Sequence, residues 1–167
     1  MKQATATTND RANLLADRIL QGAHALADFT EKLTEKEWQT PVAGDGRTVG
    51  VVVHHVASSY PVEIELARML ASKKPIVGVT EEVINKMNAD HAVEYANAGK
   101  EVTLELLKLN GNLAAEAVSA FTDQDLENSA TISLNADAPL TAQFFIEDHA
   151  LRHSFHHLAK IKATLNK

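Results

Sequence analysis

Ile84, Met87, His91, Tyr95, Ala98, Val102, Leu106, Leu109 and Leu113 follow one another at spacings of three or four residues without a break. That period puts all of them on one face of an α-helix. The helix that carries such a stripe cannot shield it, so the chain must pack helix against helix. Leu15, Ile19, Leu26, Phe29 and Leu33 repeat the pattern near the start, after good N-cap residues at Thr8-Asn9-Asp10. Two further helices are expected. One runs from about Thr48 to Ala71, bent or interrupted at Pro61, and one from about Leu140 to Leu165. The long stripe should begin at the Thr80-Glu81-Glu82 cap and stop near Phe121. Only Thr131–Leu134 reads as a strand-like piece. The pattern predicts an all-α fold, a four-helix bundle in a single domain over residues 1–167, with residues 1–8 disordered.

The two halves echo each other. Leu33-Thr34-Glu35-Lys36-Glu37-Trp38 and Phe121-Thr122-Asp123-Gln124-Asp125-Leu126 both place Thr-x-x-acid after a helix, the spacing of a capping box. Each is followed by a loop and then by a histidine-bearing helix. The second and fourth helices would then hold equivalent positions.

Composition narrows the chemistry. Of 167 residues none is cysteine, which excludes disulfides and thiolate metal ligands and suits a reducing compartment. Met1 to Thr8 shows no apolar signal region, and no apolar run approaches the roughly 20 residues that span a bilayer. Cytoplasmic location is the expectation. A net charge of -6, without any basic block, argues against nucleic acid and anionic membranes as partners. A small molecule is the expected partner, with a homodimer suggested by apolar positions in excess of one core. Gly44-Asp45-Gly46 lacks the lysine and the strand of a phosphate loop. Ser58 and Ser59 lie near His55 but inside a helix, without a nucleophile elbow.

The histidines are the candidates for chemistry. His153 and His157 stand four residues apart, about one helical turn, so a helix stacks their imidazoles on one face. His54-His55 offers a third nitrogen from the second helix. Helical phase puts His54 with Ser58, Pro61, Glu65 and Arg68, a solvent side, and His55 with Val51, Val62, Leu66 and Met69. In the fourth helix Phe144, Leu151, Phe155, Leu158 and Leu165 form the main apolar face. His153 and His157 share an edge with Ile146, Ala150 and Ile161, while His149 and His156 fall nearer solvent. Phase therefore favours His55, His153 and His157 as ligands of one metal ion, with His54 and His149 as open alternatives. Three histidines would leave coordination positions free, which suits catalysis. His91 lies on the long stripe and is the candidate catalytic proton acceptor. Tyr95 reads as core, His24 as peripheral, and Asp148 as a carboxylate that could orient a ligand imidazole.

The stretches Asp45-Gly46-Arg47-Thr48-Val49-Gly50-Val51-Val52-Val53-His54-His55-Val56-Ala57 and His153-Ser154-Phe155-His156-His157-Leu158-Ala159-Lys160-Ile161 carry a family resemblance, with Asn88-Ala89-Asp90-His91-Ala92. The chain resembles the DinB/YfiT-like metal-binding four-helix bundles, relatives of the mycothiol-dependent maleylpyruvate isomerase N-terminal domain. The resemblance implies an up-down-down-up bundle. It also implies a divalent metal, commonly nickel or zinc, on His55, His153 and His157. Many thiol-transferase-like members continue the last motif with Arg-Gly-Gln, where this chain has Leu158-Ala159-Lys160. That departure counts against a thiol-transferase activity and leaves the fold untouched. The expected function is metal-dependent transfer or hydrolysis on a small molecule, with a low-molecular-weight thiol as a candidate cosubstrate. The alternative is a non-catalytic metal-binding or structural bundle. Because ligands must be neutral imidazoles, affinity is expected to fall as pH drops through about 6.5.

Overall fold

In the computed structural model residues 10–167 are described. The cap expected at Thr8-Asn9 and the disorder expected for residues 1–8 lie outside them. Helix α1 (Asp10–Glu31) buries Leu15, Ile19 and Leu26, as their spacing requires, and leaves His24 exposed. A capping box then starts the short α2 (Glu35–Trp38). The Thr34 hydroxyl accepts from the Glu37 N–H, and the Glu37 carboxylate accepts from the Thr34 N–H at 2.8 Å. The turn delivers Trp38 into the core, where its indole N–H donates to the Ala98 carbonyl at 2.9 Å.

Helix α3 (Val49–Ala71) is capped by Thr48 and runs straight through Pro61 rather than breaking there. The proline faces solvent. The carbonyl it leaves without an N–H partner, that of Ala57, accepts instead from the Asn110 side-chain amide at 2.8 Å. At the start of α3, Gly50 lies against the Trp38 ring, and a Cβ there would fall 2.7 Å from Trp38 Cε2. Gly50→Ala is therefore expected to destabilise the fold by about 1–3 kcal/mol, although alanine ordinarily favours a helix. An unchanged urea midpoint in that variant would show that the ring gives way freely.

The long stripe is not one helix. It is divided between α4 (Glu81–Glu94) and α5 (Lys100–Ser119). Tyr95 caps α4, Gly99 starts α5, and the intervening Ala98 carbonyl is taken by Trp38. The phase differs too. Thr103, Leu104, Leu107, Gly111, Ala114, Ala115 and Val118 form the buried face of α5, while Val102, Leu109 and Leu113 remain exposed. Small residues win the inner face because neighbouring helices come close: a Cβ on Gly111 would lie 2.8 Å from that of Ala23.

The second capping box, Thr122 with Asp125, opens α6 (Asp123–Glu127). The strand-like segment is real but shifted. β1 (Ser129–Thr131) pairs antiparallel with β2 (Pro139–Thr141), and Leu134 belongs to a 3-10 turn. The last helix is α7 (Ala142–Ile146), a π-helical turn (Glu147–Leu151) and α8 (Arg152–Leu165) in succession. The π turn adds a residue to one turn and rotates what precedes it by about a hundred degrees. Phe145 and Ile146 are buried in consequence, and Phe144, expected inside, is half exposed.

The contacts define the directions of the four long helices. Phe155 packs on Arg18 and Gly22 while Lys162 lies over Phe29, so α8 runs parallel to α1. Lys100 reaches the Leu33 carbonyl at 2.7 Å and Gly111 meets Ala23, so α5 is antiparallel to α1. Asn110 binds Ala57, and a groove farther along joins Ile64 and Arg68 to Ala117 and Ala120, so α5 is parallel to α3. This is an up-down-down-up bundle. Tyr60 and Ser154 join α3 to α8 at its centre through a buried hydroxyl pair at 2.6 Å. Among the described residues no helix is long and apolar enough to cross a membrane.

Candidate metal centre

His55 from α3 and His153 and His157 from α8 converge, each offering one nitrogen within 4.8 Å of the others. The Nε2 atoms of His55 and His153 are 3.1 Å apart. Two nitrogens bound to one tetrahedral zinc at about 2.0–2.1 Å would stand roughly 3.3 Å apart, so the spacing fits one ion between them. His157 is buried, and its Nδ1 has no hydrogen-bond partner. A buried imidazole nitrogen without a partner is the exception in proteins, and it is what a ligand site looks like before its ion is considered. Nitrogen-only donors suit zinc, nickel, copper or iron better than calcium or magnesium.

Burial keeps two of these imidazoles neutral. Burial, reinforced by His153, Arg47 and neighbouring histidines, lowers the His55 pKa to about 2. Burial first, then His153 and Arg47, lowers that of His157 to about 3. Both are neutral at neutral pH.

His153 is oriented from behind. Its Nδ1 lies 2.8 Å from Oε1 of Glu63, a buried carboxylate one helix away on α3. With Nδ1–H donating to Glu63, the Nε2 lone pair is left facing His55. The carboxylate role expected of Asp148 therefore belongs to Glu63. Asp148 instead accepts from Arg152 at 2.9 Å on the exposed side of the π turn. An acid set two turns after His55, flanked by Val62 and Ile64, is the signal that the sequence offers for it.

His54 corrects another expectation. It is buried, not solvent-facing, because α4 folds over that side of α3. Its ring stacks on Tyr95 with centroids 3.9 Å apart, and its Nδ1 meets His91 Nε2 at 2.9 Å. His54 is thus engaged with α4 rather than with the trio. His149 stacks on Phe145 at 4.2 Å and likewise stands outside the trio. Val62, expected on the inner side with His55, is exposed. His91 comes beside the centre, its ring 5.6 Å from that of His55, with Nδ1 buried and unpartnered. Burial, with His54 and Arg47, lowers its pKa as well. Tyr95, expected in the core, is only partly buried at the end of α4.

Solved structures share this architecture. YfiT from Bacillus subtilis, described as a probable metal-dependent hydrolase with an unusual four-helix bundle topology, superposes with a TM-score of 0.74. It is 19% identical, with 99% of this chain and 92% of that one covered. The colibactin self-resistance protein ClbS, solved in complex with double-stranded DNA, gives a TM-score of 0.70 at 14% identity, covering 97% of this chain and 98% of its own. At such identities the likeness shows the fold alone. No curated protein matches the chain in sequence. A family model described as the DinB superfamily matches residues 18–161, and the chain belongs to that superfamily.

Proposed function

We propose that the protein is a divalent-metal-dependent enzyme acting on a small molecule, with His55, His153 and His157 as its metal ligands. The observation that carries this reading is the trio itself: three imidazole nitrogens within 4.8 Å, drawn from two helices. Zinc and nickel are the ions favoured. A divalent ion on neutral ligands supplies a Lewis acid that makes water or a thiol acidic enough to act near neutral pH. Glu63 holds His153 in one tautomer and orientation, so the ligand geometry is set before any ion arrives. His91 is the proton acceptor in this proposal. When its Nε2–H donates to His54 Nδ1, the buried Nδ1 is left as a lone pair beside the centre. His54 and Tyr95 keep that ring in place.

Hydrolysis is preferred to transfer. The likeness to YfiT supports it, and the chain contains no cysteine, so a thiol nucleophile would have to come from a cosubstrate. The net charge of -6 supports a small molecule over nucleic acid, although ClbS was solved with DNA. A homodimer is proposed for the assembly, with Val102, Leu109 and Leu113 of α5 as exposed apolar positions that it would cover.

The test is elemental analysis of protein purified without an affinity tag. A screen of metal-loaded protein against hydrolysable esters and electrophiles, with and without thiols, then follows. Near-stoichiometric metal is expected, with turnover that disappears in His157→Ala. Turnover persisting in that variant would remove the trio from the mechanism. The structural-bundle alternative makes the opposite prediction for chelation. Trp38, Tyr60, Ile19 and Leu26 are fully buried without help from the trio, so chelated protein is expected to keep its helical circular dichroism. Unfolding on chelation would favour the structural role.

A further inference from the structure

The loop that leads into α3 turns back beside the histidine centre. Gly44 and Gly46 take φ of 74° and 86°, a region that side chains rarely enter. The Ala43 N–H is held by Thr164 of α8 at 3.0 Å. Within this loop Arg47 is clamped by Asp45: Nε–H donates to Oδ1 at 2.6 Å and Nη2–H to Oδ2 at 2.8 Å. Only one edge of the guanidinium is used. Nη1 is buried and has no hydrogen-bond partner, which leaves donors to spare on a group that keeps its charge at any working pH.

Arg47 also lines an open surface cavity of about 370 Å³ between the loop and α4, together with Gly44, Asp45, Asn88, Ala89 and Ala92. That volume suits a small molecule. Its α4 wall brackets His91 in the sequence. Arg47 is close enough to act electrostatically on His55, His157 and His91, lowering the pKa of each. Asp45 offsets part of the Arg47 charge, so Arg47 offers directed hydrogen bonding with some residual positive charge, to which a neighbouring ion would add. A fixed guanidinium donor beside a cation matches an oxyanion better than a neutral or cationic group.

We propose that Arg47 recognises the substrate, its guanidinium donating to an oxyanion, carboxylate or phosphate, of a small molecule seated in the open cavity between the loop and α4. This deepens the metal-enzyme reading and rests on it only for the ion next door. The donor and the cavity exist without it.

Titration of the metal-free protein with sodium acetate or inorganic phosphate at constant ionic strength, followed by calorimetry and by the side-chain N–H resonance of Arg47, tests the idea. Saturable binding of at least one of the two anions is expected, with a shift of that resonance. Arg47→Met should weaken the binding at least tenfold, and Arg47→Lys, which keeps the charge but not the fork, by less. Stronger binding of acetate assigns a carboxylate substrate, and stronger binding of phosphate a phosphorylated one. Should Arg47→Met fail to fold, the wild-type resonance decides. The proposal is overturned if neither anion shifts it, or if Arg47→Met binds as the wild type does. Zinc loading is expected to tighten the same binding. If zinc fails to bind while the anion still engages Arg47, the metal reading falls and this one stands.

Discussion

Replacing His153 by alanine is expected to lower zinc affinity by roughly a hundred- to a thousandfold, since it removes one of the three proposed ligands from a site of several kcal/mol per ligand. Glu63→Gln should cost about ten- to a hundredfold, although Glu63 touches no ion. The two effects have different causes. His153 Nε2 faces His55 Nε2 at 3.1 Å, so alanine removes a donor atom. Glu63 accepts at 2.8 Å from the other nitrogen of the same ring, so glutamine keeps the shape but loses the charge that makes the ring basic. Glutamine can also present its NH₂ to Nδ1 and so favour the wrong tautomer. Competition against a chelator of known affinity reads both variants. Adding Glu63→Gln to His153→Ala should cost nothing further, because the ring that Glu63 orients is already gone. Stoichiometric metal retained by His153→Ala would discard the site.

Helices and histidines are legible in the sequence to different depths. A period of 3.6 survives any tertiary context, so α1, α3, α5 and the α7–α8 segment all show in it. Both capping boxes form, because Thr34 with Glu37 and Thr122 with Asp125 satisfy backbone groups locally. Phase is less legible than period. Along α5 the inner face goes to Gly111, Ala114 and Ala115, since close helix approach favours small residues over large apolar ones. Along the last helix one π turn displaces Phe144 outward, and no residue there announces an extra residue in the turn.

The trio is legible because its members repeat at the helical period and lie on segments that pack. His54 misleads for the same reason that α4 does. The long stripe suggests one helix in the bundle, whereas α4 buries none of its own residues and instead lies over His54 through His91 and Tyr95. Glu63 and Arg47 act across elements, and their roles depend on which helix faces which. Spacing along one chain does not carry that information.

Acid should destabilise the chelated protein through the pH range in which free imidazoles titrate. His55 and His157 stay neutral in the native state down to about 2 and about 3, chiefly because they are buried. In the unfolded chain both protonate near 6.5. Below that pH the unfolded state binds more protons than the native one, so stability is fully present above about 6.5 and falls as pH descends toward 3. At pH 5 each group costs roughly 2 kcal/mol, and the pair on the order of 4, a large part of the 5–15 kcal/mol typical of a domain. Urea midpoints at pH 7 and pH 5 measure this, and replacing His55 or His157 with glutamine should flatten the difference by about half. Equal midpoints in the unaltered protein would mean that both imidazoles accept protons while folded. The same burial changes what is expected of the metal. In the folded chain His55 and His157 would not have to lose a proton to bind, so on these two residues acid would act mainly through the fold. Bound zinc should then protect against acid, raising the urea midpoint at pH 5 as well as at pH 7, because the ion binds the native chain in preference to the unfolded one.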